Sequence, residues 1–425
     1  MNAAAASAQA DLVAFIDGQR TGLFSQNAHG AITFRYDDDL SPLATPLSIS
    51  MPLVAGAEYG NRVARPFLQG LLSDNPATLE AIAAAHHTSP RNPMGLLRHV
   101  GRDTAGALQL LPPGEASDDA AARTGDVHFI DDFGEFVASV VDSAGKWSER
   151  YDEFRWSLAG AQPKLALYRS DDGQWGVPRD STPTTHILKP AARGDRHDVN
   201  EFLTMRAGRR LGLRVADHGL MVTDRGDFVF VARRYDRVQT DGRLRRLHQE
   251  DFAQALSVDP ALKYQSDGGP GLEKFARVVR AFAPSEQRRA AKELFEALVF
   301  TCAAANTDAH AKNYSVIHSG TQMRLAPLYD LGSNALYRGD QPMPSAVSIG
   351  GERVMARIGM THWLKAARML GVDAQTARDA VERIRGGVAA AFVAARADLL
   401  ADDDGLTYAD RLVEAVGERA QHHGW

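Results

Sequence analysis

The stretch Asn306-Thr307-Asp308-Ala309-His310-Ala311-Lys312-Asn313 decides how this chain is read. It follows a long apolar run, 286–305, with helical spacing, and sets a carboxylate and a carboxamide five positions apart. An aspartate so placed can accept the proton of an attacking hydroxyl. The asparagine oxygen is a hard ligand suited to magnesium on phosphate groups. Downstream stands Ala326-Pro327-Leu328-Tyr329-Asp330-Leu331-Gly332, whose Asp330 offers a second oxygen ligand. Far upstream, Thr185-His186-Ile187-Leu188-Lys189-Pro190 reads as a strand ending in a lysine, a point charge for phosphate. Lysine, loop aspartate and metal aspartate, in this order, point to phosphoryl transfer, which asks for positioning and charge neutralisation.

The D-x-x-x-x-N spacing is that of the protein-kinase catalytic loop, and Asp-Leu-Gly stands where kinases carry Asp-Phe-Gly. On this reading Lys189 clamps the nucleotide phosphates, Asn313 and Asp330 hold magnesium, and Asp308 deprotonates a Ser/Thr hydroxyl. His310 and Lys312 lie between and steady the loop or the transferred charge, with a structural role favoured for His310. Glu201, opening a helix over 200–212, either pairs with Lys189 or is a first-turn glutamate favoured by the helix dipole. The segment 156–168 lacks G-x-G-x-x-G, but Ser157, Ala159, Gly160 and Ala161 are small enough for backbone N–H groups to approach phosphate. The strand 228–236 runs into a polar segment where a hinge would pass the adenine, so backbone groups from Ala232 through Arg233 to Tyr235 could bond the base. Asp132-Phe133-Gly134 spells D-F-G, yet it precedes the lysine and has no catalytic loop upstream, so it is read as a loop. Gly145-Lys146 is no phosphate loop of the Walker type, because Val140 stands where a glycine is needed.

With 425 residues the chain can form two or three domains, and 44% hydrophobic and 24% charged residues are ordinary for a globular protein. A net charge of −5 excludes a global basic footprint for nucleic acid. The single cysteine, Cys302, falls in an apolar helical run, so no intrachain disulfide forms and a reducing cytoplasm is expected. The alanine-rich start reads as a frayed tail, and no apolar run approaches the ~20 residues of a membrane span.

Taken in order, 11–24 reads as a hairpin turning at Asp17-Gly18, 30–36 and 47–53 as strands, 65–82 as one helix, and 106–111 as a strand. Residues 112–123 read as a mobile linker. Leu247 to Asp251 begins a helix. Tyr264 to Gly271 is a glycine-rich loop, and from Leu272 onward the chain is nearly all helical. The basic run Arg243, Arg245, Arg246 reads as a solvated strand face rather than a DNA contact. The expected fold class is α+β and bilobal kinase-like. An N-terminal α+β subdomain (11–112) precedes a β-rich N-lobe (124–256) and an all-helical C-terminal lobe (257–425).

These stretches together resemble the HipA kinases, toxins of bacterial toxin–antitoxin pairs. The resemblance runs from about Asp11 to the last helices. It rests on Ser157-Leu158-Ala159-Gly160-Ala161-Gln162-Pro163-Lys164, Pro183 to Lys189, Gln249-Glu250-Asp251, Lys263 to Gly271, Thr307 to Asn313 and Leu328-Tyr329-Asp330. It implies a serine/threonine protein kinase using ATP and magnesium, with Asp308 as catalytic aspartate, Asn313 and Asp330 as metal ligands, and Lys189 as the ATP lysine. Ala159 to Gln162 and Lys164 would lie in the nucleotide loop, and Ser157 would be phosphorylated by the kinase itself, switching it off. It also implies a HipB-like DNA-binding antitoxin, operator DNA reached through that partner, and a protein substrate such as an aminoacyl-tRNA synthetase. Arg233 departs from the acidic residue common at the hinge, and Pro163 stiffens the loop. The rival readings are a small-molecule phosphotransferase and a catalytically silent corepressor.

Overall fold

The computed structural model describes residues 11–142, 157–160, 164–191, 196–337 and 342–422. The chain divides into two compact units, each discontinuous in sequence. The first comprises Met1–Leu188, Arg234–Ala261 and Val316–Gln322; the second comprises Lys189–Arg233, Leu262–Ser315 and Met323–Trp425. The sequence reading instead divides the chain consecutively, because periodicity carries no record of which distant segments return to which core. Among the described residues no helix is long and apolar enough to cross a membrane.

The first unit opens with an antiparallel sheet in the order 58–59, 32–36, 19–26, 12–16, 108–111. Asp17 and Gly18 take positive φ (49° and 79°), the conformation of a tight hairpin turn. Phe15, Phe24, Phe34 and Tyr36 are fully buried on this sheet, with the Phe24 and Phe34 rings 4.6 Å apart. Residues 47–53 form no strand, only an isolated bridge between Ser48 and Met51. Their backbone is satisfied by side chains instead. Tyr36 Oη accepts from Leu47 N and donates to Met51 O, and Glu250 accepts from Ile49 N and from Ser48 Oγ.

The periodic run 65–82 is two helices, Asn61–Leu71 and Pro76–Ala85, because Asn75-Pro76 caps a new helix start. The expected linker contains a short helix, Asp118–Ala122, and D-F-G opens the helix Phe133–Asp142, where Asp132 Oδ1 accepts from Glu135 N. His248–Asp251 is a strand rather than a helix start; the helix follows at Phe252–Ala255, capped by Asp251.

A buried ionic cluster ties this unit together. Asp103 Oδ1 accepts from Arg237 (2.8 Å) and Arg246 (3.0 Å), and its Oδ2 accepts from Thr184 Oγ1 (2.7 Å) and Arg234 (3.3 Å). Asp236 neutralises Arg234 from the other side at 2.8 Å. Burial alone would favour the protonated acid, but Arg237, Arg246 and Arg234 outweigh it and hold Asp103 far below the usual carboxylate range. The expected solvated arginine face is therefore corrected in part: Arg246 is buried here, Arg245 pairs with Asp17, and Arg243 is exposed.

The second unit packs the helix Ala374–Ala397 against His197–Arg210, Pro284–Ala303 and Asp403–His422. Phe300 and Phe392 are fully buried, and Phe295 meets Trp363 edge to face at 5.8 Å. Gly387 allows close approach: a Cβ there would stand 2.8 Å from Leu211. The helical reading of 257–425 holds for five segments but omits strands at Ser315–Ser319, Gln322–Leu325, Pro344–Ile349 and Glu352–Val354. All four are short; Ser315–Ser319 and Pro344–Ile349 are buried along most of their length, which masks their alternation, and Gln322–Leu325 and Glu352–Val354 have only four and three residues.

Candidate active site

The 284–303 helix is buried along its C-terminal half and is capped by Ala304. Ala305 then turns the chain with a positive φ of 56°. Asn306, fixed by its own N–H on Thr301 O (2.8 Å), accepts from Asp308 N through Oδ1 (2.9 Å). The loop is thus locked from below, while the Asp308 side chain stays 58% exposed. Asn313 is buried, and its Nδ2 donates to Asp308 O at 2.8 Å, closing the loop across those five positions.

His310 is buried 3.9 Å from Asp308 Oδ1, and burial lowers its pKa to about 4, so it is neutral near pH 7. That favours a structural part for this imidazole. Lys312 is buried as well, and its carbonyl accepts from Tyr329 Oη at 2.7 Å. Tyr329 also bonds Ser315 Oγ at 2.6 Å. The segment carrying Asp330 is thereby tied to the loop carrying Asn313.

Asp330 itself holds a positive φ of 56°, a conformation that a non-glycine residue keeps only when its surroundings enforce it. Its Oδ1 accepts from Lys189 Nζ at 2.5 Å. The same ammonium donates to both oxygens of Glu201 at 2.8 Å. Burial alone would favour the neutral amine, but the Asp330 and Glu201 carboxylates outweigh it and hold Lys189 charged, above its ordinary range. Phe230 lies beneath, its ring centroid 5.8 Å from Nζ. Of the two readings of Glu201, the structure shows the pair.

The remaining anticipated residues are placed differently. Ser157, Ala159, Gly160 and Lys164 belong to the first unit. Ser157 is buried; its N–H donates to Asp103 O (2.9 Å) and its Oγ to Leu71 O (2.9 Å). Gly160 O accepts from Asp74 N and Ser73 Oγ, both at 3.1 Å, and Lys164 Nζ donates to Ala159 O at 2.7 Å. Gly160 has φ 110°, a backbone conformation that residues with a side chain rarely adopt, so the turn favours glycine. Ala161 and Gln162 lie outside the described residues. At the anticipated hinge the Arg233 side chain is exposed and its N–H donates to Asp217 O (2.8 Å), while Tyr235 Oη bonds Gln249 Oε1. The Arg233 N–H is therefore already engaged.

Two contributors escaped sequence reasoning. Asn200, beside Glu201, donates to Ser333 O (2.8 Å) and Tyr408 Oη (2.8 Å) and accepts from Ser333 N (2.7 Å), gripping the turn after Asp330. Only its place next to Glu201 could have drawn attention to it. Tyr264 bonds Asp308 Oδ1 through its hydroxyl, and it does lie within a quoted family stretch. Among the described residues no three His, Cys, Asp or Glu side chains gather as a metal site. One carboxylate and one amide oxygen do suit magnesium, which is bound through few protein ligands together with substrate phosphates.

Two family models match: the HipA N-terminal domain over residues 12–111 and the HipA-like C-terminal domain over residues 156–392. The Sinorhizobium fredii protein Y4mE is 36% identical over 370 residues, covering 84% of each chain. The serine/threonine-protein kinase toxin HipA of Shewanella oneidensis is 30% identical over 315 residues, 71% of this chain and 70% of that one. A solved chain from the Shewanella oneidensis MR-1 complex of HipA, HipB and operator DNA superposes with a TM-score of 0.82 at 24% identity, covering 97% of both chains. The fold is accordingly the α+β, kinase-like fold of that structure, and the chain belongs to the HipA family.

Proposed function

We propose that this protein is an ATP- and magnesium-dependent serine/threonine protein kinase acting as the toxin of a bacterial toxin–antitoxin pair. The observation that carries the reading is Lys189 held charged by Glu201 and Asp330, in the unit whose buried loop presents Asp308 and Asn313. Lys189 binds the nucleotide phosphates as a point charge kept in place by Glu201. Asn313 and Asp330 hold magnesium, which when bound neutralises phosphate charge. Asp308, exposed on a locked loop, orients the acceptor hydroxyl and takes its proton as the phosphoryl group transfers. The substrate is a protein of the translation apparatus, such as an aminoacyl-tRNA synthetase, and a HipB-like antitoxin carries the complex to operator DNA.

Ser157 is the site of self-phosphorylation. Its hydroxyl proton is spent on the Leu71 carbonyl, a bond that the esterified Oγ cannot make. About −1.5 to −2 charges would instead face a carbonyl oxygen, so phosphoserine cannot keep this seat and the loop must leave it. The experiment is intact mass after incubation with ATP and magnesium for wild type, Asp308→Asn and Ser157→Ala. Uptake of one phosphate by wild type alone, on Ser157, is the expected result. Dephosphorylated wild type that takes up none, but phosphorylates small hydroxyl compounds, would replace this reading with a small-molecule phosphotransferase.

A further inference from the structure

The Asp308 carboxylate is 58% exposed, and the buried imidazole of His310 stands 3.9 Å away, beyond hydrogen-bond reach. The phenol of Tyr264 is bonded to its Oδ1. Tyr264 is itself well located. Its ring meets His310 edge to face at 4.8 Å and 83°, and the Lys263 ammonium lies 5.7 Å from its centroid. The backbone beside it is stitched to the catalytic loop, because Lys263 O accepts from Ala311 N at 3.3 Å. Gly269 N donates to Tyr264 O at 2.9 Å, and a Cβ on Gly269 would stand 2.6 Å from that oxygen, so the turn behind the ring is tightly packed.

We propose that Tyr264 is a positioning residue for phosphoryl transfer, holding one oxygen of Asp308 so that the other faces the acceptor hydroxyl. This rests on the kinase reading above. An exposed carboxylate on a free χ1 samples several rotamers, only one of which points at the acceptor. A phenol on Oδ1 selects that rotamer without taking the proton-accepting place at Oδ2. The tyrosine acts through Asp308 and forms no bond to substrate, and its bond stabilises the reactive geometry before the acceptor arrives.

The test is Tyr264→Phe, which keeps the ring against His310 and Lys263 and removes only the hydroxyl. Single-turnover phosphate uptake by the whole chain is followed by mass at varied ATP, beside wild type and Asp308→Asn. The expected result is a fall of about 10- to 100-fold in the rate at saturating ATP, the scale of a misplaced catalytic group. The ATP concentration for half-maximal rate and the melting temperature should stay unchanged. A merely structural tyrosine would move the melting temperature, and a nucleotide contact would move the ATP dependence; either result overturns the proposal. So does a Tyr264→Phe rate within twofold of wild type, or above it, which would make the phenol an obstruction on Asp308. Wild type that takes up no phosphate and behaves as Asp308→Asn overturns the kinase reading and this inference together. Uptake by wild type with an unaffected Tyr264→Phe overturns this inference alone.

Discussion

Lys189 shows how much one side chain depends on its company. A lysine ending a strand is ordinarily a solvated edge residue, and nothing in Thr185 to Pro190 says otherwise. The tertiary structure sets it between Glu201, whose side chain is 9% exposed, and Asp330, which is 35% exposed. Replacing Lys189 by Met would remove the ammonium that bonds both Glu201 and Asp330. Breaking a buried pair costs roughly 3 kcal/mol, less the share that solvent returns to the more exposed Asp330. The expected outcome is a lower urea midpoint together with loss of phosphate uptake, read on the same preparation. An unchanged midpoint would mean that Glu201 finds another partner.

At the scale of elements, the helix His197–Arg210 does more than present Glu201. Its neighbour Asn200 grips Ser333 through both backbone polar groups and reaches Tyr408 on the last helix. Asn200→Ala should cost about 2 kcal/mol or more, because buried Ser333 groups lose their partners. It should also slow phosphate uptake by loosening the turn that follows Asp330, and urea unfolding beside single-turnover rates checks both. Elements with strong local codes were legible: the Asp17-Gly18 hairpin and the long 284–303 helix. Residues 47–53 were not, since the Tyr36 hydroxyl and the Glu250 carboxylate replace a strand ladder there. The D-F-G helix start was missed for a related reason: Asp132 caps a helix whose pattern begins only after it.

For the whole molecule, buried neutral histidines set a pH limit in both units. Burial lowers His248 to about 3, and His218 and His310 to about 4 each. In the unfolded chain they titrate near ~6.5. Between these values the unfolded chain binds more protons than the folded one. The stabilisation is therefore fully present above about pH 6.5 and is lost as pH falls towards the folded values. Each histidine withdraws about 2 kcal/mol by pH 5. Urea midpoints should drop from pH 7.5 to pH 5, and His248→Gln, which can still donate to Leu47 O, should flatten the slope. A slope unaltered in that variant would remove His248 from the account.

Sequence by itself named the candidate residues of the site. Loop aspartate, amide, second aspartate and strand lysine are local patterns whose residue types and order match what phosphate and metal chemistry asks for. It also determined the family, through long quoted stretches. Only the tertiary structure decided which carboxylates face Lys189, that Asn200 bonds Ser333 and Tyr264 bonds Asp308, and that Asp103 sits among three arginines while its carbonyl anchors Ser157. Those contacts join residues from 12 to more than a hundred positions apart. Hydrophobic periodicity says which face of an element is buried, but not which distant segment covers it.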